Sequence, residues 1–181
     1  MFADQTLTPK EATRLCALGS LAMAPMTYSA LAISIRHFIG RVVGPTPEIM
    51  GHSIELLRYE GLVEAAEGVG DQALLRITAA GRAAMRELLT ANLRATSTAL
   101  DKLIVALKLR FLHLLDPDEQ CAQADLLVDA CERELARLDD LRRHHADERG
   151  YLRSWLDHDI GLLEVRLAWL EAFRARLCGR C

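Results

Sequence analysis

Apolar residues recur at helical spacing along nearly the whole chain, and the pattern is interrupted by well-marked caps and breaks. Thr8-Pro9-Lys10-Glu11 places Thr at an N-cap, Pro at the first helical position and Glu at the third. The run behind it, with Ala12, Leu15, Cys16, Leu18, Gly19 and Ala22 on one side, predicts a first helix that ends at Ala24-Pro25-Met26. Thr27 caps a second helix carrying Leu31, Ile35 and Phe38. Gly44-Pro45-Thr46-Pro47-Glu48 then forms a turn and the cap of a third helix, which runs to about Tyr59 with Met50, Ile54 and Leu57 facing inward. Gly61 supplies the left-handed residue at its exit. Only between Leu62 and Ile77 does the pattern change: residues 62–65 and 73–77 read as two short strands around a glycine-containing loop. Thr78 caps a long helix through Met85, Leu89, Leu93 and Leu100, continuing to Leu114 with Thr96-Ser97-Thr98 as a possible break. Asp116-Pro117-Asp118-Glu119 opens the next helix, and Gly150 separates it from the last.

That order of parts is the order a winged helix-turn-helix requires. The expected fold is therefore mainly α, a winged helix-turn-helix domain over residues 1–90 with a small β-hairpin wing, followed by an antiparallel helical dimerisation domain over residues 91–181. The boundary near residue 90 is expected within a continuous helix. In the final helix, Tyr151 to Leu177, the positions Leu156, Ile160, Leu163, Leu167, Leu170 and Leu177 alternate by four and three. A second stripe, Trp155, Leu162 and Trp169, lies on another face at intervals of seven. Two apolar stripes need two partners: the preceding helix for one, and a second subunit for the other in preference to an intramolecular core.

Composition narrows the class. With 51% hydrophobic and 26% charged residues, the 181-residue chain can bury a core and remain in water. No apolar run approaches the roughly 20 residues that span a bilayer, and the N-terminus has no secretory pattern, so a cytoplasmic protein is expected. The net charge of −3 is not the basic footprint of a typical nucleic-acid-binding domain, which leaves any such role to local clusters. Five cysteines, an odd count, do not suggest a disulfide framework. Cys16, Cys121 and Cys131 read as buried thiols on helix faces, and Cys178-Gly-Arg-Cys181 as a frayed, reduced tail, although its spacing resembles a redox or metal half-site. Known catalytic motifs are absent, and adjacent His144 and His145 point about 100° apart on a helix. No enzyme, cofactor or metal site is expected.

Within the winged helix-turn-helix, Arg36, His37 and Arg41 at the end of the second helix are candidates for phosphate contact. On the third helix, Thr46 at its cap and Glu48, Ile49, His52, Glu55 and Arg58 fall on the groove-facing side; His52 could donate to a base edge and Ile49 pack on a thymine methyl. Arg76 and Gly70-Asp71-Gln72 are the wing candidates.

Four segments carry a resemblance to the PadR family of bacterial transcriptional regulators: LGSLAMAPMTYSAL, LLRYEGLVEA, LLRITAAGRAAM and LLEVRLAWLEAF. The first three also fit MarR-type winged helices; their order before a separate helical half favours PadR. The resemblance implies a homodimer that binds double-stranded DNA at a palindromic operator, usually as a repressor, and that responds to a small aromatic or apolar ligand. Trp155 and Trp169 are the residues expected to line an effector site. An alternative follows from Glu48, Glu55 and Gly51, the last standing where family members often carry an aromatic residue: a winged-helix protein-interaction module with weak or no DNA binding.

Overall fold

The computed structural model describes residues 6–44, 51–68, 72–93, 98–147 and 149–179. Among them are helices α1 (Pro9–Met23), α2 (Tyr28–Val43), α3 (Gly51–Tyr59), α4 (Ala79–Thr90), α5 (Ala99–Phe111), α6 (Pro117–His144) and α7 (Leu152–Cys178). Strands β1 (Met26–Thr27), β2 (Val63–Glu67) and β3 (Leu74–Ile77) form an antiparallel sheet in the order β1-β3-β2. The expected fold class is what forms: mainly helical, with a small sheet.

Local chemistry sets the helix starts. The Thr8 hydroxyl accepts the Glu11 N–H at 3.3 Å while the Glu11 carboxylate accepts the Thr8 N–H at 2.7 Å, and this pairing holds the Glu11 pKa below the usual carboxylate value. Thr78 caps α4 by accepting the Gly81 N–H at 3.0 Å. Gly61 adopts a φ of 72° where the chain leaves α3. β1 is the strand that periodicity missed. Two residues, Met26 and Thr27, pair with Leu75 and Leu74, and a pair that short leaves no alternation to read.

α1 is the hub, with Leu15, Cys16, Leu18 and Leu21 buried among α2, α3, α4, α5 and β3. Ile54 and Leu57 of α3 pack inward, as their spacing predicted, while Met50 lies outside the described residues. The expectation of a continuous helix across residue 90 is corrected: α4 ends at Thr90, and α5 starts anew behind a capping box between Thr98 and Asp101. Threonine side chains that bond their own backbone favour caps over helix interiors, and that preference prevails here. α5 then packs on α1 and α2, with the Arg110 guanidinium 4.4 Å from the centre of the Phe38 ring.

Lys108 locks this junction. Fully buried on α5, its ammonium donates to the carbonyls of Leu89 (2.7 Å) and Ala91 (2.6 Å) at the end of α4 and to Gln123 Oε1 (2.7 Å) on α6. Burial lowers its pKa from 10.5 to about 8. α6 and α7 form an antiparallel hairpin that buries Leu127, Cys131 and Leu138 against Leu156, Ile160, Leu163 and Leu170. A second correction concerns the cysteines. Cys178 is not part of a frayed tail but the last helical residue of α7, bonded to Cys121 of α6. Proximity of residues 57 apart in sequence comes from the hairpin and left no trace in local spacing. Among the described residues, no helix is long and apolar enough to cross a membrane.

Candidate nucleic-acid interface and effector cavity

α2, α3 and the β2–β3 hairpin occupy the positions of a helix-turn-helix and its wing. Arg36 and His37 are exposed on α2, and Arg58 is exposed near the end of α3. Thr46, Glu48 and Ile49, and the wing tip at Gly70 and Asp71, lie outside the described residues. His52 lies in the first turn of α3. Arg76 is exposed on β3, directly across from Glu64 of β2, and its guanidinium donates to that carboxylate at 2.7 Å. A paired arginine offers a phosphate less than a free one does.

The recess between α3 and the wing is lined by Glu55, Arg58, Tyr59 and Glu64, together with Val63, Ala65 and Thr78. Its charge is mixed. Tyr59, 90% exposed at the α3 exit, was not among the sequence-derived contacts. It is an aromatic side chain with a hydroxyl beside the recess next to the wing, and its only sequence signal was its place next to Glu60 and Gly61. Glu60 itself is engaged by Arg14 of α1.

Arg41 stands elsewhere. It borders a cavity of about 670 Å³ lying between α2, α5, α6 and α7, a volume typical of small-molecule sites. Val42, Val105, Leu109, Leu127 and Leu170 supply apolar walls, and Trp169 of α7 closes one side. Lys102 and Arg166 join Arg41 at this cavity, and no carboxylate is among the lining residues. None of the three cations is in an ion pair among the described residues. The Arg166 charge reaches Cys131 at the cavity wall and opposes the rise that burial imposes on that thiol's pKa.

The two tryptophans do not share this site. Trp155 lines a separate recess of about 340 Å³ between α6 and α7 with Glu134, Arg137 and Asp159. Fourteen residues of helix set it about 21 Å along the axis from Trp169. Trp169 instead stacks on Phe173, with ring centres 5.3 Å apart and planes 6° from parallel. Lys102 and Arg166 escaped the sequence reading because they lie on helices far apart in the chain, and only packing of α7 against α5 and α6 brings them to one cavity.

On the outer face of α7, Trp155, Leu162, Val165 and Trp169 are 51%, 55%, 71% and 48% exposed. The second apolar stripe read in the sequence borders recesses against the chain's own helices and is thus only about half covered by them.

Over residues 2–174 the chain matches the family model described as "Putative AphA-like transcriptional regulator". No curated protein matches it.

Proposed function

The chain belongs to the AphA-like transcriptional regulator family, and from that premise we propose that it is a homodimeric DNA-binding repressor of PadR type, working in the cytoplasm on a palindromic operator. The observation that carries this reading is the half-exposed apolar stripe on α7. Monomeric proteins seldom present several large, half-exposed apolar side chains along one helix, and a second copy of the same helix is the natural cover. Two winged halves, residues 1–90 of each subunit, would then face successive major grooves about 34 Å apart. Arg36, His37 and Arg58 would hold phosphates.

The cavity beneath α2 supports a ligand-responsive form of this function. Apolar walls with three cations that have no ion-pair partner among the described residues suit an aromatic or aliphatic molecule bearing an anionic group, and Trp169 offers a stacking surface. Because α2 and α5 line one side and α7 the other, a molecule bound there would bias the tilt of the winged half on the dimerisation helix.

Fluorescence anisotropy on the upstream DNA of the protein's own gene, against a scrambled duplex across a salt series, tests the reading. Tighter binding to the native fragment with a steep salt slope supports it. Equal weak binding to both duplexes overturns the autoregulatory form. A second reading, a winged-helix module that engages a protein, is favoured by Glu55 and Glu64 in the recess beside the wing. It predicts salt-insensitive capture of a protein partner and no specific duplex binding.

A further inference from the structure

Cys121 lies near the start of α6 and Cys178 at the end of α7, with their Cα atoms 5.5 Å apart and their sulfurs bonded. Both residues are partly exposed, so small oxidants and thiols can reach them. The other described cysteines are different. Cys16 and Cys131 are buried free thiols; burial raises both pKa values, that of Cys16 to about 11, and keeps them protonated and inert.

The bridge holds a part of α7 with no fully buried side chain of its own and, among the described residues, few other contacts. The last buried residue of that helix is Leu170. Beyond it, Phe173 and Leu177 are half-buried, and Arg174 meets Asp125 at 3.5 Å in an exposed pair. Isolated helix ends with so few contacts fray readily. The rest of the hairpin does not depend on the bridge, because Leu156, Ile160 and Leu163 are already buried against α6. Opening the bridge therefore frees residues 171–178 without unfolding the hairpin, and the two thiols stay close enough to close again.

Its position gives that local event a wider reach. Glu119, two residues before Cys121, accepts from Arg86 of α4 at 2.8 Å, and Gln123, two residues after, accepts from the Lys108 ammonium. The bridge thus ties the tail of α7 to the segment of α6 where α4 and α5 converge. Phe173, within the tail, stacks on Trp169 just before it, and Trp169 lines the cavity.

We propose that Cys121 and Cys178 form a reversible redox modification site, closed by hydrogen peroxide and opened by a dithiol, whose state decides whether the end of α7 stays docked on α6. In closure, one thiolate attacks a peroxide oxygen. The O–O bond breaks, a sulfenic acid forms, and hydroxide leaves and is protonated to water. The second thiol attacks the sulfenic sulfur, the S–S bond forms and another water departs. The two thiols lose two electrons and the peroxide gains them. In opening, a dithiol attacks one sulfur, passes through a mixed disulfide and leaves as its own cyclic disulfide, returning both protein thiols.

The test uses the full-length protein, reduced with dithiothreitol and then treated with hydrogen peroxide. Non-reducing peptide mapping follows the bridge, and amide hydrogen exchange follows residues 171–178. A Cys121–Cys178 peptide that appears with peroxide, disappears with dithiothreitol and slows exchange of 171–178 by at least about tenfold is the expected result. Cys178→Ser should show fast exchange in both conditions, with residues 152–170 unchanged. Failure of the linked peptide to form, its persistence in dithiothreitol, or identical exchange in the two states overturns the proposal. None of these readouts involves DNA, so they stand apart from the test of the regulatory function.

Discussion

Gly81→Ala should be among the most damaging single-methyl additions to the winged half. A Cβ at this position would lie 2.1 Å from the Leu62 carbonyl oxygen and 2.7 Å from Ile77 Cγ1. Carbon and oxygen that are not bonded approach to about 3.3 Å, so the backbone would have to part by roughly 1 Å. It is poorly free to do so. The Leu62 carbonyl accepts the Thr78 N–H at 3.0 Å, the Thr78 hydroxyl donates to the Gly61 carbonyl at 2.8 Å, and the Gly81 N–H donates to that same hydroxyl. Overpacking costs about 1–3 kcal/mol, and each of these hydrogen bonds that lengthens costs about 1 kcal/mol more. The helix propensity of Ala returns up to about 1 kcal/mol. A net loss of about 2–3 kcal/mol is expected, or roughly 5–10 °C in Tm for a chain of this size. Thermal and urea denaturation of the purified variant measure it. Gly40→Ala is the control: nothing lies within 4 Å of its added Cβ, and a helical Ala should raise stability by about 0.5–1 kcal/mol. If Gly81→Ala melts at or above the wild-type temperature, the packing of α4 on the α3 exit is not as described.

Lys108 has a folded pKa of about 8, below its ordinary 10.5, so the unfolded chain binds more protons between those values and stability should rise with pH across that window. Cys16 works in the opposite sense between 9 and about 11, so the rise is to be read as urea midpoints of wild type minus Lys108→Met. Leu162→Asp with Val165→Glu should weaken self-association at least about tenfold in analytical ultracentrifugation while leaving helix content unchanged, because both side chains are exposed in the single chain. Arg36→Ala should lower the salt slope of DNA binding by about 1, whereas Arg76→Ala, whose guanidinium is engaged by Glu64, should change it less. Titrating a small panel of aromatic carboxylates should quench Trp169 fluorescence in a Trp155→Phe background, and Arg166→Gln should raise Kd about tenfold; neutral analogues that bind equally well would refute the anionic preference.

Much of the architecture was legible in local chemistry. Thr8, Thr27 and Thr78 cap helices by bonding to N–H groups three residues on, a rule of short range that needs no knowledge of the rest of the chain. Helical spacing likewise identified Ile54 and Leu57 as the inward face of α3, and two apolar stripes on α7. What sequence could not reveal were meetings between distant segments. Met26-Thr27 is a strand only because β3 lies beside it. Arg76 is an exposed wing arginine by spacing, yet strand register sets it against Glu64. Cys121 and Cys178 are bonded because the hairpin returns on itself, and Arg41, Lys102, Arg166 and Trp169 line one cavity because four helices converge there. Caps and amphipathic faces are set by forces acting over one or two turns, and the chain itself specifies them. Ion pairs, bridges and cavities depend on where whole elements come to rest, and that only the packed structure decides.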